Sequence, residues 1–185
     1  MTSKKRVVLI TGAESGIGKS TSKIFLDNGY KVICTYLKNN NNKNTKDIEY
    51  HRIDITKNKD WENLALYIKK KFKKIDVLVN SAGVRLSGNL ETTSMSDWSY
   101  HLNNNVTGTF LACKYILPFL KKAKNSSIIN VASINSIRGV KNMLAYATSK
   151  SAIISFTASL ALDLTKNKIR VNAVAPGAIE TPMLA

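Results

Sequence analysis

Val7-Val8-Leu9-Ile10-Thr11-Gly12-Ala13-Glu14-Ser15-Gly16-Ile17-Gly18 is the stretch that decides the fold of this 185-residue chain. Its apolar run predicts a buried strand, its glycines predict a turn, and a helical pattern follows over residues 17–28. Glycine lets a pyrophosphate approach the backbone, and the start of a helix offers N–H groups and a positive dipole end. The context therefore predicts a dinucleotide-binding turn at Gly12, Ser15, Gly16, Ile17 and Gly18. The spacing is G-x-x-x-G-x-G rather than G-x-G-x-x-G, and a plain strand–helix turn is the alternative.

The rest of the chain alternates short apolar runs with helical patterns. Strands are predicted at residues 7–10, 31–36, 48–53, 77–79, 127–131 and 169–174. Helices are predicted at residues 17–28, 57–73, 98–122 and 145–166, with Pro118 kinking or ending the third. Residues 38–46 read as a polar loop, and no repeat or domain-scale linker interrupts residues 1–185. Val- and Ile-rich strands between helices predict one α/β domain, a doubly wound parallel sheet of Rossmann-like type with helices on both faces.

Composition and charge exclude several classes of function. The net charge is +16, but the bases are mostly Lys and are not interleaved with aromatic residues, which disfavours nucleic acid as the main partner. No run of apolar residues is long enough for a signal-peptide core or a membrane span, so we expect a cytoplasmic protein. Cys34 and Cys113 read as reduced thiols, and neither they nor His51 and His101 have ligand spacing, so no metal site is expected.

Tyr146 and Lys150 form the candidate catalytic pair. Residues four apart share one face of a helix, and an ammonium held near a phenol favours the phenolate, whose pKa is ordinarily about 10. A tyrosine in that setting can exchange a proton with an alcohol oxygen near neutral pH. Alone, the pair is a weak signal, because both residues are common on helices.

The choice of dinucleotide depends on the end of the second predicted strand. Sheets that bind NAD place an acid there for the ribose 2′-hydroxyl, but no Asp or Glu lies between Asn28 and Lys46. Nothing in that range would repel a 2′-phosphate and Lys38 could meet it, so the sequence favours NADP over NAD. A merely solvated Lys38 is the alternative. Asp54 and Ile55 could contact the adenine, unless Asp54 only caps the next helix.

With these residues, the chain resembles the short-chain dehydrogenase/reductase family over nearly its whole length. The resemblance adds several motifs in the order and spacing of that family: Asn80-Ser81-Ala82-Gly83, Asn105-Val106-Thr107-Gly108-Thr109-Phe110, Ser133 thirteen residues before Tyr146, and Pro176-Gly177-x-Ile179-x-Thr181. Ser81 stands where the family has a second Asn.

The resemblance implies an NAD(P)-dependent oxidoreductase acting on a secondary alcohol or ketone, with a 3-oxoacyl thioester as the other substrate class. It implies Tyr146 as the acid and base, Lys150 as its activator and a ligand of the nicotinamide ribose, and Ser133 as a donor to the substrate oxygen. It implies that Asn105 anchors a water linking Lys150 to solvent. The cofactor contacts that it adds are Asn80, Ala82 and Gly83 on the adenosine side, and Pro176, Gly177, Ile179 and Thr181 around the nicotinamide.

The sequence stops at Ala185, earlier than family members usually do. From the resemblance we expect the last parallel strand and the substrate lid to be missing, which leaves a non-catalytic nucleotide-binding remnant as the alternative function. The family also implies a homodimer through the helices predicted at 98–122 and 145–166, with Phe110, Leu111, Ile154, Phe156 and Leu160 as candidate contacts. It argues against the usual tetramer, whose second interface uses the missing segment.

Overall fold

The computed structural model describes residues 5–38 and 43–184 and contains a six-stranded parallel sheet. Its strands are β1 (Val7–Thr11), β2 (Lys31–Tyr36), β3 (Ile48–Arg52), β4 (Val77–Asn80), β5 (Ser127–Val131) and β6 (Arg170–Val174). The helices are α1 (Gly16–Asp27), α2 (Asn58–Lys71), α3 (Met95–His101), α4 (Gly108–Leu120) and α5 (Leu144–Asp163). The strand order is β3-β2-β1-β4-β5-β6, so the predicted doubly wound α/β fold is confirmed.

The two faces of the sheet carry separate cores. Alternate residues of β1 divide between them: Val7 and Leu9 belong to one apolar cluster, and Val8 and Ile10 to the other. The first cluster includes buried residues of α2 and α4 and half-buried residues of α5, and the second is packed against Phe25 and Leu26 of α1. Because both faces are covered, the central strands β1, β2 and β4 read as continuous apolar runs, whereas the edge strands β3 and β6 also carry polar residues.

The long helix predicted over residues 98–122 is present over residues 95–120, but its middle is π-helical rather than α-helical. The structure has α3, then a π-helical segment at Leu102–Thr107, then α4. Polar side chains bond to the backbone here: Asn104 Nδ2 donates to the Tyr100 carbonyl at 2.9 Å, and Thr109 Oγ1 to the Asn105 carbonyl at 2.8 Å. Such bonds compete with regular helical pairing. Pro118 lies in the last turn of α4, which ends two residues later at Leu120.

Other predicted boundaries differ from the observed ones by a few residues at most. The strands predicted at 31–36 and 127–131 have those limits in the structure, and the last helix is shorter, ending at Asp163. The centre of the predicted polar loop, residues 39–42, lies outside the described residues. At the far end of the sheet β6 pairs with β5, and no other strand of the described chain pairs with it. No helix in the described ranges has both the length and the apolar character needed to cross a bilayer.

Two glycines determine how the turn after β1 packs. Gly12 has φ +65°, and a Cβ on it would lie 2.7 Å from Ala82 Cα. A Cβ on Gly18, in the first turn of α1, would lie 2.2 Å from the Gly12 carbonyl oxygen. Only hydrogen atoms fit at these positions, so α1 begins directly against the end of β1.

We expect Gly18→Ala to destabilise the fold by about 1–3 kcal/mol, the usual cost of overpacking. Gly139→Ala is the matched control, since nothing lies within 4 Å of its added Cβ, and it should shift stability by no more than about 0.5 kcal/mol. Denaturant unfolding of both variants measures this difference. Equal stability of the two variants would contradict the close contact between Gly18 and Gly12.

Candidate active site

A cleft with a volume of about 740 Å³ opens at the carboxyl ends of the strands. It lies where the strand order reverses, with β2 on one side of β1 and β4 on the other. Open α/β sheets bind ligands in this position, and the volume falls in the usual range of ligand sites. The glycine turn, the residues after β2 and β4, the start of α5 and the segment after β6 form the walls.

Most of the residues predicted for the site line this cleft. They are Gly12, Ser15, Gly16, Ile17, Gly18, Lys38, Ile55, Ala82, Gly83, Ser133, Tyr146, Lys150, Pro176, Gly177, Ile179 and Thr181. Three predicted residues, Asp54, Asn80 and Asn105, are not part of its wall. The fold therefore brings the predicted catalytic and cofactor ends into one cavity.

The glycine turn fits an anionic group. Ser15 is the N-cap of α1 but makes no capping hydrogen bond through its side chain, and the Lys19 amide is the first to bond back, to the Ser15 carbonyl at 3.1 Å. The first-turn amides that precede Lys19 are therefore available to a ligand in the cleft. Because Gly12 and Gly18 have no side chains, the backbone of the turn is also exposed to the cleft beside these amides. These features match what a dinucleotide pyrophosphate requires.

Asp54 and Asn80 are used within the fold instead. Asp54 Oδ1 accepts hydrogen bonds from the Thr56 amide and hydroxyl, at 2.9 and 2.7 Å, which closes a turn before α2. Asn80 Nδ2 donates to Asn130 Oδ1 at 2.9 Å and to Cys113 Sγ at 3.4 Å. Asn80 thus steadies β4 against β5 and α4 and is not part of the cleft wall.

Ser133 and Tyr146 face the cleft from neighbouring elements. Ser133 caps the short 3₁₀ turn Ile134–Ser136, where its Oγ accepts a hydrogen bond from the Asn135 amide at 3.2 Å. As an acceptor in that bond, the hydroxyl keeps its own proton for a ligand. Tyr146 is in the first turn of α5, 7% exposed, and its ring lies edge-on to His101 at 6.3 Å. Both hydroxyl-bearing residues line the same cavity.

Lys150 is buried behind Tyr146. Its Nζ donates a hydrogen bond to the Val131 carbonyl at 2.8 Å and lies 6.0 Å from the centre of the Tyr146 ring. Burial lowers the pKa of the Lys150 ammonium from 10.5 to about 8. Desolvation disfavours the charged form, and no acidic partner offsets it among the described residues.

Asn105 lies in the π-helical segment, and its side chain binds the backbone of Val84, next to Gly83, which borders Lys150. Its Nδ2 donates to the Val84 carbonyl at 3.0 Å and to Ser149 Oγ at 2.8 Å, while its Oδ1 accepts from the Val84 amide at 2.8 Å. A Cβ on Gly83 would lie 2.9 Å from Asn105 Oδ1 and 3.3 Å from Lys150 Nζ. Asn105 and Lys150 are therefore neighbours across Gly83, without a direct bond between them.

Sequence reasoning missed several residues of the cleft wall. Glu14 belongs to the quoted glycine turn, but only the fold shows that it reaches the end of β2. Arg85 and Arg138 bring positive charge to the cleft, and Tyr100 and Asn104 add polar groups. No spacing motif marks these four residues, because their positions depend on how separate segments of the chain, both loops and helices, meet.

The histidines and cysteines of the described chain form no group of three or more potential metal ligands with one another or with acids. His101 Nε2 accepts from the Leu86 amide at 2.9 Å, so its Nδ1 carries the proton and donates to the Asp97 carbonyl at 2.7 Å. Burial raises the pKa of both cysteine thiols to about 12, so Cys34 and Cys113 are unreactive free thiols.

Comparison with known proteins adds the family context. The family model described as short chain dehydrogenase matches residues 6–185. The chain is 37% identical over 186 residues to the 3-oxoacyl-[acyl-carrier-protein] reductase FabG of Thermotoga maritima, covering 96% of this chain and 76% of that protein. It is 36% identical over 183 residues to the dehydrogenase/reductase SDR family member 6 of Aquarana catesbeiana, covering 97% of this chain and 73% of the relative.

Solved structures with bound dinucleotides are also similar. The structure of ElxO with NADP bound superposes with a TM-score of 0.88 at 33% identity, over 98% of this chain and 77% of that one. The structure of the 3-ketoacyl-(acyl-carrier-protein) reductase from Brucella melitensis complexed with NADH superposes with a TM-score of 0.88 at 32% identity. The match covers 97% of this chain and 78% of that one. The fold of the chain is thus one that holds either dinucleotide in other proteins.

The low pKa of Lys150 should make stability depend on pH. The folded chain releases the Lys150 proton near pH 8, and the unfolded chain releases it only near 10.5. Between these values the unfolded chain binds more protons, so stability rises with pH in that window. Relative to Lys150→Met, the wild-type free energy of unfolding should increase by about 2 kcal/mol from about pH 7.5 to about pH 9.5.

Denaturant unfolding of wild type and variant across this range measures the difference, in which all other titrations cancel. Lys59→Met is the control, because the Lys59 side chain is 77% exposed and its removal should leave the pH dependence unchanged. A constant difference between wild type and Lys150→Met would contradict the lowered pKa.

Proposed function

The chain belongs to the short-chain dehydrogenase family, and we propose on that basis that it transfers a hydride between NAD(P)(H) and a secondary alcohol or ketone. The observation that carries the proposal is the convergence in one cleft of Ser133, Tyr146 and Lys150 with the bare N-terminus of α1. An anion-binding turn alone would suit many nucleotide proteins. A buried Tyr–Lys pair beside a serine hydroxyl supports proton transfer at an oxygen.

Ser133 and Tyr146 act on the substrate oxygen. Bound NAD(P)H supplies the hydride for reduction, and NAD(P)⁺ accepts it in oxidation. In reduction, negative charge develops on the carbonyl oxygen, to which Tyr146 donates its proton while Ser133 donates a hydrogen bond. The resulting alcohol carries the hydride on carbon and the Tyr146 proton on oxygen. In oxidation, the tyrosinate takes the proton back.

Lys150 and Asn105 hold this arrangement. Lys150 brings positive charge behind the Tyr146 ring, which favours the phenolate that forms when the proton leaves. The ammonium is also available to hydroxyls of the nicotinamide ribose, since Lys150 lines the cleft. The family resemblance implies that Asn105 anchors a water molecule that links Lys150 to solvent. Because the Asn105 amide is already bonded to Val84 and Ser149, we propose that it mainly positions residues 83–84 against Lys150.

Two substrate classes fit the proposal. The relatives named as 3-oxoacyl-[acyl-carrier-protein] reductases support a 3-oxoacyl thioester, and a simpler ketone or secondary alcohol is the alternative. Arg85 and Arg138 on the cleft wall would favour a substrate that carries negative charge. We keep the cytoplasm as the proposed location, on the sequence argument given above.

We also propose that the chain forms a homodimer through α4 and α5. Phe110 of α4 is 46% exposed and Leu162 of α5 is 78% exposed, and apolar residues in such positions are suited to a helix-to-helix interface. Phe156 and Leu160 are half-buried and pack against the core of their own chain. Leu111, named from the sequence as a contact, is only 5% exposed and belongs to that core, so it is removed from the interface.

Replacing Tyr146 by Phe should remove nearly all turnover and leave dinucleotide affinity similar, because the ring is kept and only the exchangeable proton is lost. Activity with acetoacetyl-coenzyme A and with a simple ketone can be followed by NAD(P)H absorbance, and affinity by NAD(P)H fluorescence. Losses of about 10²–10⁴-fold are typical when an acid–base group is removed.

Tyr115→Phe is the matched control, since the Tyr115 hydroxyl bonds to Asn58 on the surface, at 3.1 Å, and lies outside the cleft wall. Substantial turnover by Tyr146→Phe would overturn the acid–base assignment. Dinucleotide binding without turnover of any substrate by the wild-type chain would favour the non-catalytic nucleotide-binding alternative.

The dimer can be tested by analytical ultracentrifugation. Phe110→Asp should shift the wild-type dimer to monomer, because it places a charge in the apolar contact. Leu66→Asp is the control: Leu66 is 65% exposed on α2, away from the proposed interface, and the variant should remain dimeric. A monomeric wild-type chain would contradict the dimer.

A further inference from the structure

The carboxylate of Glu14 lies at the end of β2, although Glu14 belongs to the glycine turn after β1. A hydrogen bond of 3.0 Å from the Ala13 amide to the Thr35 carbonyl ties that turn to β2. Next to it, Glu14 Oε1 accepts a hydrogen bond from the Leu37 amide at 3.4 Å. Glu14 and Leu37 both line the cleft, so the carboxylate forms part of its wall beside the second strand.

The second carboxylate oxygen is in an unusual state. Glu14 Oε2 is shielded from water and has no hydrogen-bond partner among the described residues. Burial, and to a smaller extent the Glu14 charge, raises the pKa of the Cys34 thiol on β2, which places this charge next to the strand. A shielded oxygen without a donor is costly. A ligand hydroxyl in the cleft would relieve that cost once the Glu14 side chain rotates to turn this oxygen toward the cleft.

The end of the second strand is where dinucleotide-binding sheets read the adenosine ribose. An acid there accepts a hydrogen bond from the 2′-hydroxyl, which NAD has and which NADP carries as a phosphate ester. In this chain β2 ends at Tyr36, followed by Leu37 and Lys38, so the strand itself supplies no acid. Glu14 brings a carboxylate to the same strand end from the neighbouring turn.

We propose that Glu14 replaces the missing strand-end acid: it accepts a hydrogen bond from the adenosine ribose and disfavours a 2′-phosphate, so that the site prefers NAD(H) to NADP(H). The inference rests on the proposed function, because it concerns the dinucleotide of that reaction. It opposes the preference for NADP that the sequence alone favours. That preference considers only acids between Asn28 and Lys46, and the fold brings one from outside that range.

Lys38 is the group that argues for the opposite preference. It lines the same cleft, but it is exposed beyond the end of β2. Arg52 adds a second positive charge nearby, where its Nε donates to the Leu37 carbonyl at 3.1 Å, but it does not line the cleft. Charges in water are screened, and a flexible Lys can turn away. The Glu14 carboxylate is held by the turn and partly shielded, so its field on a 2′-substituent is stronger.

The test is a fluorescence titration of the purified chain with NADH and with NADPH. We expect wild type to bind NADH about tenfold more tightly, a difference that corresponds to about 1.4 kcal/mol. Glu14→Gln keeps the size of the side chain and one acceptor oxygen but removes the charge, so NADPH affinity should rise about tenfold and the preference should vanish.

Two controls isolate the 2′ position. Glu91→Gln makes the same change of net charge at an exposed residue outside the cleft wall, and it should leave the ratio of the two affinities unchanged. Displacement of NADH by AMP and by adenosine 2′,5′-bisphosphate compares two ligands that differ only in the 2′-phosphate. Despite the attraction of a +16 chain for the extra charge, AMP should compete better with wild type and lose that advantage with Glu14→Gln.

NADPH binding as tight as NADH binding by wild type overturns the proposal, as does an unchanged affinity ratio in a Glu14→Gln variant shown to be folded by circular dichroism. The wild-type ratio of NADH to NADPH affinity, and the comparison of AMP with adenosine 2′,5′-bisphosphate, need no variant. The proposal can therefore be tested even if Glu14→Gln does not fold. Binding of neither dinucleotide by wild type would overturn the proposed function together with this inference. If wild type binds both NADH and NADPH and Glu14→Gln does not change the ratio of the two affinities, only this inference is overturned.

Discussion

The close approach between the ends of β1 and β4 is the constraint on which the cleft depends. Thr11 Oγ1 accepts hydrogen bonds from the amides of Ser81 and Ala82, both at 3.0 Å, and so joins the two strand ends. The next residue, Gly12, touches Ala82 so closely that no Cβ could be added. From β1 the sheet grows outward through β2 and β3 on one side and through β4, β5 and β6 on the other. The joint between β1 and β4 therefore lies where the strand order reverses. The crevice above it is a consequence of the direction of the chain connections, and Gly12 and Ala82 of the joint are part of its wall.

The end of the cleft that we propose to be catalytic is held in place by side chains that bond to the main chain of other elements. Lys150 of α5 bonds to the last residue of β5, Val131, and Asn105 bonds in both directions to Val84 in the loop after β4. Gly83 lies between them with no room for a side chain. Such bonds leave little freedom for Lys150, and preorganisation of this kind is what the proposed proton transfer at Tyr146 requires. The lowered pKa of Lys150 is the electrostatic cost of holding an ammonium largely out of water.

The sequence predicts the parts of this protein that depend on local pattern. Apolar runs mark the central strands β1, β2 and β4, although β3 (Ile48–Arg52) contains only one Val or Ile. The spacing of Gly12, Gly16 and Gly18 after the first run marks the turn proposed to bind the cofactor. The helix over residues 98–122 is present, but its π-helical segment at Leu102–Thr107 is not predicted, because side-chain bonds such as Thr109 to the Asn105 carbonyl have no periodic signature. The motif that contains Asn80 borders the cleft, but the Asn80 side chain bonds to Asn130 and Cys113 and does not line it. Glu14 has no signal in the sequence for a similar reason, since its importance appears only when the turn meets β2.

Charges count in this cleft according to how far they are shielded. A net charge of +16 attracts any dinucleotide, with or without a 2′-phosphate, and this long-range attraction is weakened by salt. Discrimination between two ligands that differ at one position has to come from a charge close to that position and partly out of water. On the wall at the end of β2, Glu14 meets both conditions, whereas Lys38 is near but exposed. The many surface lysines can therefore raise the association rate of any anionic cofactor. The proposed preference for NAD(H) over NADP(H) depends on a single acid, Glu14, in the glycine turn.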